Sequence, residues 1–450
     1  MLATIALAAL LQLPGPQAPA SPGEFVPGTT YDPAIPTIQS VVGHEVWEVV
    51  TPPDQVVRYF EVLAEAAPDR THLVHYADSW EGRPLVIMVV GSPERIASLD
   101  EVKAGLARLA HPEGLSDAEA DELIAGLPVL IDPNENPDGR NRFVQENTMA
   151  AAVRPNVEAF SAEHDERWPG GRVNHYLFDL NRDLFIQSQA ETQGKVRIFL
   201  EYWPHIVADL HEMGGNATYF FPPTAPPENP WYGERQIALM DVFGRANAAA
   251  FDARGFAYFN REVYDLFYPG YVDMWPMNHG ALGMTYEQAS ARALVLEQSD
   301  GDVLTYGDGV LHHFTAAMAT AHTSAVNRES ILRDYLAFRR EGIELGSQGV
   351  AEYVLHSAHD PGMAERLARM LVRNGIEVRE ASGPVDVAGR QLPAEGTFIV
   401  PMDQPTHRFA RNLLDAHVPM AEDFLQEQID RRSRREPDQI YDLTAWSQSL

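Results

Sequence analysis

Four short stretches carry the residue types and spacings that do chemistry in this chain. "VADLHEM" (207–213) ends a strand-like apolar run at His211. An imidazole at a strand end can ligate a metal or exchange a proton near neutral pH, and an ordinary hydrogen-bonded strand-end histidine carries the same signature. "GMTYEQAS" (283–290) brings Glu287 to another strand end among apolar neighbours. A carboxylate there can act as a general base, or can simply face solvent. "FDLNRD" (178–183) sets Asn181 beside Arg182. A guanidinium fork next to an amide suits a carboxylate ligand; Asp179 or Asp183 is the local alternative partner for Arg182. "DPNENPDGRNRF" (132–143) reads as a tight loop after a strand, with Arg140 or Arg142 able to hold a developing oxyanion at the strand's C-terminal end.

The elements that must position these residues follow from periodicity. Pro52-Pro53-Asp54 opens a helix on which Val56, Val57, Phe60, Leu63 and Ala64 recur at helical spacing. "THLVHYADS" and "RPLVIMVVGS" read as two strands joined at Glu81-Gly82. "PVLIDP" (128–133) is a short strand, a helix is expected near 190–203, and the strand ending at His211 follows. A long helix is expected over 231–254, a strand over 282–288, and long helices over 308–344. The pattern resets near Leu345-Gly346-Ser347 into a small βαβ-type unit. The expected organisation is a leader at 1–20, a main domain at 21–345 and a small α/β domain at 349–450.

Composition narrows the function. Lys and Arg total 34 against 64 Asp and Glu, a net charge of −30, which repels phosphate backbones and argues against a nucleic-acid partner. Cysteine is absent, which excludes disulfides, thiol catalysis and cysteine zinc sites. The apolar run 2–13, followed by Ala18-Pro19-Ala20, reads as a secretory leader. No later segment has the ~20 apolar residues of a membrane span, so an exported periplasmic or extracellular protein is expected.

In chain order, "NPDGRNRF", "FDLNRD", "ADLHEMG" and "GMTYEQAS" resemble the zinc carboxypeptidase family, the carboxypeptidase A/B-like metallopeptidases, of the large bacterial exported type. "YADSWEGRPL" looks like the early strand pair of that family, and the resemblance covers roughly residues 40–340. It implies an α/β fold with a mixed, mostly parallel sheet and helices on both faces. It also implies zinc as cofactor and hydrolysis of the last peptide bond of a peptide with a free C-terminus. On that pattern His211 is a zinc ligand and Glu287 the general base. Asn181 and Arg182 grip the terminal carboxylate. Arg142, or Arg140, polarises the scissile carbonyl, and Tyr268 or Tyr264 lies over the substrate.

One part of the pattern is missing. The family's H-x-x-E ligand pair has no counterpart, because none of the 16 histidines has Glu three residues on. The join at Pro128-Val129 stands where that segment belongs, so an inner strand, the ligand loop and a helix are expected to be lost. Fewer than three zinc ligands and newly exposed apolar surface should result. A non-catalytic binder of peptide C-termini or peptidoglycan stem peptides is the alternative, and an incomplete gene product is a third.

Overall fold

The computed structural model describes residues 25, 29–123 and 128–440. The expected leader, residues 124–127 just before the Pro128-Val129 join, and residues 441–450 lie outside them.

Helices α1 (Ile38–Val42) and α2 (Pro53–Ala66) precede the antiparallel pair β1 (Thr71–Asp78) and β2 (Pro84–Val90). Helices α3 (Pro93–Ala97), α4 (Leu99–Ala110) and α5 (Asp117–Leu123) lead to β3 (Val129–Ile131), which pairs antiparallel with β2. The stretch expected as a tight loop forms α6 (Pro137–Ala150). Asn136 caps it by accepting from the Gly139 amide at 3.0 Å, and Pro137 fills a first-turn position that needs no donor. Arg140 and Arg142 therefore project from a helix.

A 3-10 turn at Leu180–Arg182 is followed by α7 (Ala190–Tyr202), β4 (Ile206–Met213), β5 (Tyr219–Phe220), α8 (Glu234–Asp252), α9 (Met274–Met277) and β6 (Leu282–Ala289). β4 pairs with β6 in parallel, and β5 lies antiparallel on the other edge of β6. The hairpin β7 (Val295–Glu297) and β8 (Val303–Thr305) leads into α10 (Tyr306–Val326) and α11 (Arg328–Gln348). The C-terminal part comprises β9 (Glu352–His356), α12 (Pro361–Arg373), β10 (Arg379–Glu380), the hairpin β11 (Val385–Val387) and β12 (Arg390–Leu392), β13 (Thr397–Pro401), α13 (His407–Leu414) and α14 (Glu422–Ser433). Its sheet order is β10-β13-β9, so the two strands flanking α12 run parallel with antiparallel β13 between them.

The class is α/β, with helices on both faces of β6. Tyr286 points towards α8 and α10, where its hydroxyl meets Asn247 at 3.2 Å and Thr320 at 2.6 Å. Its neighbours Thr285 and Glu287 alternate to the opposite face. Among the described residues the main sheet is divided. β1-β2-β3 is one three-stranded sheet and β4-β6-β5 another, with β3 and β4 as end strands. Val129 and Ile131 on β3 and Leu210 on β4 are left 50%, 44% and 44% exposed.

Helix α7 holds the two sheets together. Val196 and Phe199 enter the largest apolar cluster with Phe243, Trp275 and Met284. Ile198 and Tyr202 enter the cluster under β1 and β2, with Tyr76, Ile87 and Val89. Leu200 packs against a third cluster from α4, α5 and α11. The approach to β1 is close enough to require glycine: a Cβ on Gly194 would stand 2.6 Å from that of Ala77. Buried Lys195 adds an ionic tie to the loop after β3, donating to Asp132 and, at 2.5 Å, to Glu135.

The C-terminal part shares the main core. Leu355, Leu371, Val400 and Phe409 belong to the same cluster as Trp275 and Tyr286. Asn374, fully buried, accepts from Trp275 Nε1 at 2.7 Å and donates to the Phe185 carbonyl at 2.7 Å. Asn229, Asn412 and Asn278 form a second buried amide chain across the same contact, at 3.0 and 2.8 Å.

Candidate functional site

The parallel register sets His211 beside Glu287 and Asp209 beside Thr285. Residues two apart on a strand share a face, so one patch of sheet carries an imidazole, two carboxylates and a hydroxyl. Asp273 joins from the segment before α9, accepting from Thr285 Oγ1 at 2.9 Å. Gly283 permits that approach: a Cβ there would lie 1.6 Å from the Asp273 carbonyl oxygen. Asp273 is 1% exposed, and its other oxygen, Oδ1, has no hydrogen-bond partner among the described residues.

Asp209 is the residue that defines the state of His211. The two groups meet at 2.5 Å, Asp209 Oδ2 to His211 Nε2. Burial opposes the imidazolium, but the charge and hydrogen bond of Asp209 prevail and raise His211 to about 9. Burial likewise opposes the Asp209 carboxylate, and His211 prevails to hold it below its ordinary value. Glu287 is different: burial raises it to about 7, opposed by the cation on His211. Burial also raises Asp273, to about 6. The floor thus holds a committed ion pair and two carboxyls that titrate near neutrality.

His211 is also fixed through its backbone. His313 on α10 is half-buried, and loss of solvent around its ring pushes it down to about 3, so it is neutral. Its Nε2 donates to the His211 carbonyl at 3.1 Å and its Nδ1 accepts from the Tyr219 hydroxyl at 2.9 Å.

Asn181 turns its amide into this floor. Nδ2 lies 3.2 Å from Asp209 Oδ2 and 2.9 Å from His211 Nε2, and Oδ1 accepts from the Val272 amide at 2.7 Å. Arg182 packs its guanidinium over the Tyr271 ring, 4.4 Å from the centroid, and lies 3.7 Å from Asp179 Oδ2. Arg172, a residue not singled out from sequence, donates from Nε to the same Asp179 oxygen at 3.1 Å. Its positive field is also felt by Asp209, His211 and Glu287. Two guanidiniums therefore converge on one carboxylate oxygen beside the floor.

The remaining expected site residues are placed differently. Arg142 directs its guanidinium to backbone carbonyls, with Nε to Gly170 at 3.0 Å and Nη2 to Val173 and Asn174. It holds the loop that carries Arg172. Arg140 donates to the Thr51 carbonyl at 2.9 Å. Tyr268 is 1% exposed and donates to the Arg182 carbonyl at 2.9 Å, so it supports the turn from within the core. Tyr264 contacts Met213 Sδ at 3.7 Å. His75 and Asp78, an H-x-x-D pair, meet each other at 2.9 Å on exposed surface.

The donors around His211 do not fit a three-ligand metal. His211 Nε2 faces Asp209 and Asn181, and no group of three or more His, Asp or Glu among the described residues is arranged to hold a metal ion. The described helices include none long and apolar enough to cross a membrane.

No family model matches the chain, and no curated protein matches it. Among solved structures it is similar to a metallo-carboxypeptidase from Burkholderia cenocepacia, at 16% identity over 57% of this chain and 66% of that one, with a TM-score of 0.36. It is similar to a metallo-carboxypeptidase from Pseudomonas aeruginosa in complex with (2-guanidinoethylmercapto)succinic acid, at 16% identity over 61% and 69%, TM-score 0.39. It is also similar to carboxypeptidase A from Helicoverpa armigera, at 14% identity over 67% and 76%, TM-score 0.38. At TM-scores below 0.5 these likenesses assign neither a site nor a substrate to the chain.

Proposed function

We propose that the chain is a metallocarboxypeptidase-like protein whose site receives the free C-terminal carboxylate of a peptide. The observation that carries this reading is the convergence of Arg172 and Arg182 on Asp179 Oδ2, at 3.1 and 3.7 Å. A guanidinium has five donors, and Arg172 commits Nε to Asp179, so the same fork has capacity for a second carboxylate. Arg172 is half exposed and meets an incoming ligand first. Asn181 acts from behind, keeping His211 and Asp209 in register. Zinc enters only through the motif resemblance; with His211 engaged by Asp209, no step is assigned to a metal.

The test is calorimetry with a short peptide as free acid and as C-terminal amide. The acid should bind at least about tenfold tighter, a difference of ~1.4 kcal/mol. Arg182→Ala should abolish that preference. Equal affinity for acid and amide, or an unchanged preference in the variant, sinks the assignment.

A second reading, hydrolysis of the last peptide bond, is favoured by Glu287. A carboxyl raised to about 7 in a partly enclosed site is suited to take a proton from water. Mass spectrometry of peptides incubated with the protein should then reveal stepwise loss of C-terminal residues that Glu287→Gln removes. Intact peptides after prolonged incubation leave recognition alone.

A further inference from the structure

One buried cation has no part in the carboxylate floor. Arg339 on α11 is 0% exposed. Its Nε donates to the Ala110 carbonyl at 2.7 Å, and its Nη1 donates to His279 Nδ1 at 3.3 Å. The guanidinium carbon lies 5.3 Å from the centroid of the Trp203 ring. Nη2 is buried as well and has no hydrogen-bond partner among the described residues. No carboxylate among them is bonded to this guanidinium; the acid whose field reaches it, Glu113, is exposed.

Arginine keeps its charge inside a protein, and a buried charge is ordinarily met by an opposite one. The surroundings of Arg339 supply less than that. Ala110 is the last residue of α4, so its carbonyl brings the negative end of a helix dipole, about half a charge, and it engages Nε alone. The indole face adds a weaker attraction. His279 contributes only a neutral acceptor, because burial and then the guanidinium itself hold its ring well below the ordinary value. Tyr335 stands one helical turn before Arg339 on α11, so the two share a face. Tyr335 is 1% exposed, it lies within the field of Arg339, and its hydroxyl has no partner among the described residues. Two buried donors are thus left without an acceptor beside a charge that is about half compensated. Solvent is one ring away, since the indole that faces Arg339 also meets the exposed His111 edge to face at 5.1 Å.

We infer that Arg339 Nη2 and the Tyr335 hydroxyl bind a small inorganic anion of the halide class, chloride above all. The burial of both residues restricts the ligand to an ion of this size and excludes phosphate esters and peptide carboxylates. The site is distinct from the residues around His211. Its effect is structural: Arg339 already ties α4 to α11 and, through His279, to the segment after α9, and the anion completes the charge balance of that junction.

The test uses the full chain, purified in sodium gluconate and melted at constant ionic strength as chloride or bromide replaces the bulkier gluconate. The melting temperature should rise saturably with halide, by about 3 °C at roughly a hundred times the Kd for a chain of 450 residues. Crystals grown in bromide should show an anomalous peak within hydrogen-bonding reach of Nη2. Tyr335→Phe keeps the ring and loses only the hydroxyl, so it should weaken halide binding by about fivefold. Arg339→Met should abolish the response, and circular dichroism checks the fold of both variants. If Arg339→Met does not fold, Tyr335→Phe and the bromide peak still decide. Equal melting temperatures in chloride and gluconate overturn the site. So does water, with no anomalous signal, at Nη2, and so does a halide response that Tyr335→Phe leaves unchanged.

Discussion

His211 Nε2 stands 2.5 Å from Asp209 Oδ2, two residues back on the same strand face. The pair makes the imidazole a cation at neutral pH. Folded His211 lies near 9 against an ordinary 6.5, so its contribution is complete below about pH 6.5 and is lost as pH rises through 9. The shift corresponds to on the order of 3 kcal/mol. Glu287, raised from 4.5 to about 7, acts in the same direction at lower pH. Thermal stability should therefore fall between pH 5 and 9. NMR titration of the His211 ring should give a midpoint near 9 in the native chain and below 6.5 in Asp209→Asn, where burial dominates. A native midpoint near 6.5 rules out the ion pair.

The same pair governs metal affinity. Zinc must displace the proton that Asp209 holds on His211 and find further donors, which the described residues do not arrange. Elemental analysis of the purified chain should find well under one zinc per molecule. Chelator should leave the melting temperature unchanged within about 1 °C. A chelator-sensitive stoichiometric zinc contradicts this and requires ligands from elsewhere in the chain.

Lys195 is 6% exposed and bonded to Asp132 and Glu135. Burial favours the neutral amine, but the two carboxylates hold it charged, well above its ordinary value. Lys195→Met should cost about 3–5 kcal/mol in urea denaturation, because the carboxylates lose their cation. Adding Asp132→Asn and Glu135→Gln should recover part of the loss. A single variant within about 1 kcal/mol of the parent means the tie is not structural.

Leu177 offers a test of backbone strain on stability. Its side chain is 47% exposed at φ +67°, so Leu177→Gly relieves backbone strain while losing little packing. After glycine's larger entropy loss is allowed for, a net gain of about 0.5–1 kcal/mol is expected. A loss of stability indicates a contact at Leu177 that outweighs the strain.

Much of this arrangement is legible in residue patterns. The strand carrying His211 forms but runs on to Met213 instead of stopping at the histidine, the strand carrying Glu287 and the helix near 190–203 form, and the parallel ladder sets those two residues side by side. Asp209 is also within reach of sequence reasoning: it stands two residues before His211, and strand periodicity alone puts both on one face. Helix α6 is hidden because Asn136-Pro137 is at once a turn signal and a helix cap with proline in the first turn. Arg172 has no periodic signature, since it lies in a loop fixed by a single side chain, Arg142. The contacts by which α7 spans the two sheets have no signature in the sequence.

That span has a kinetic meaning. With no ladder between β3 and β4 among the described residues, the two sheets are joined through side chains of α7, which reaches three apolar clusters, and through the packing of α11 on α4 and α5. Weakening α7 at Ile198 should therefore not lower the whole chain uniformly. Amide exchange should divide into two populations, with β1 and β2 opening ahead of β4 and β6, so that the N-terminal leaf melts while the carboxylate floor stays protected.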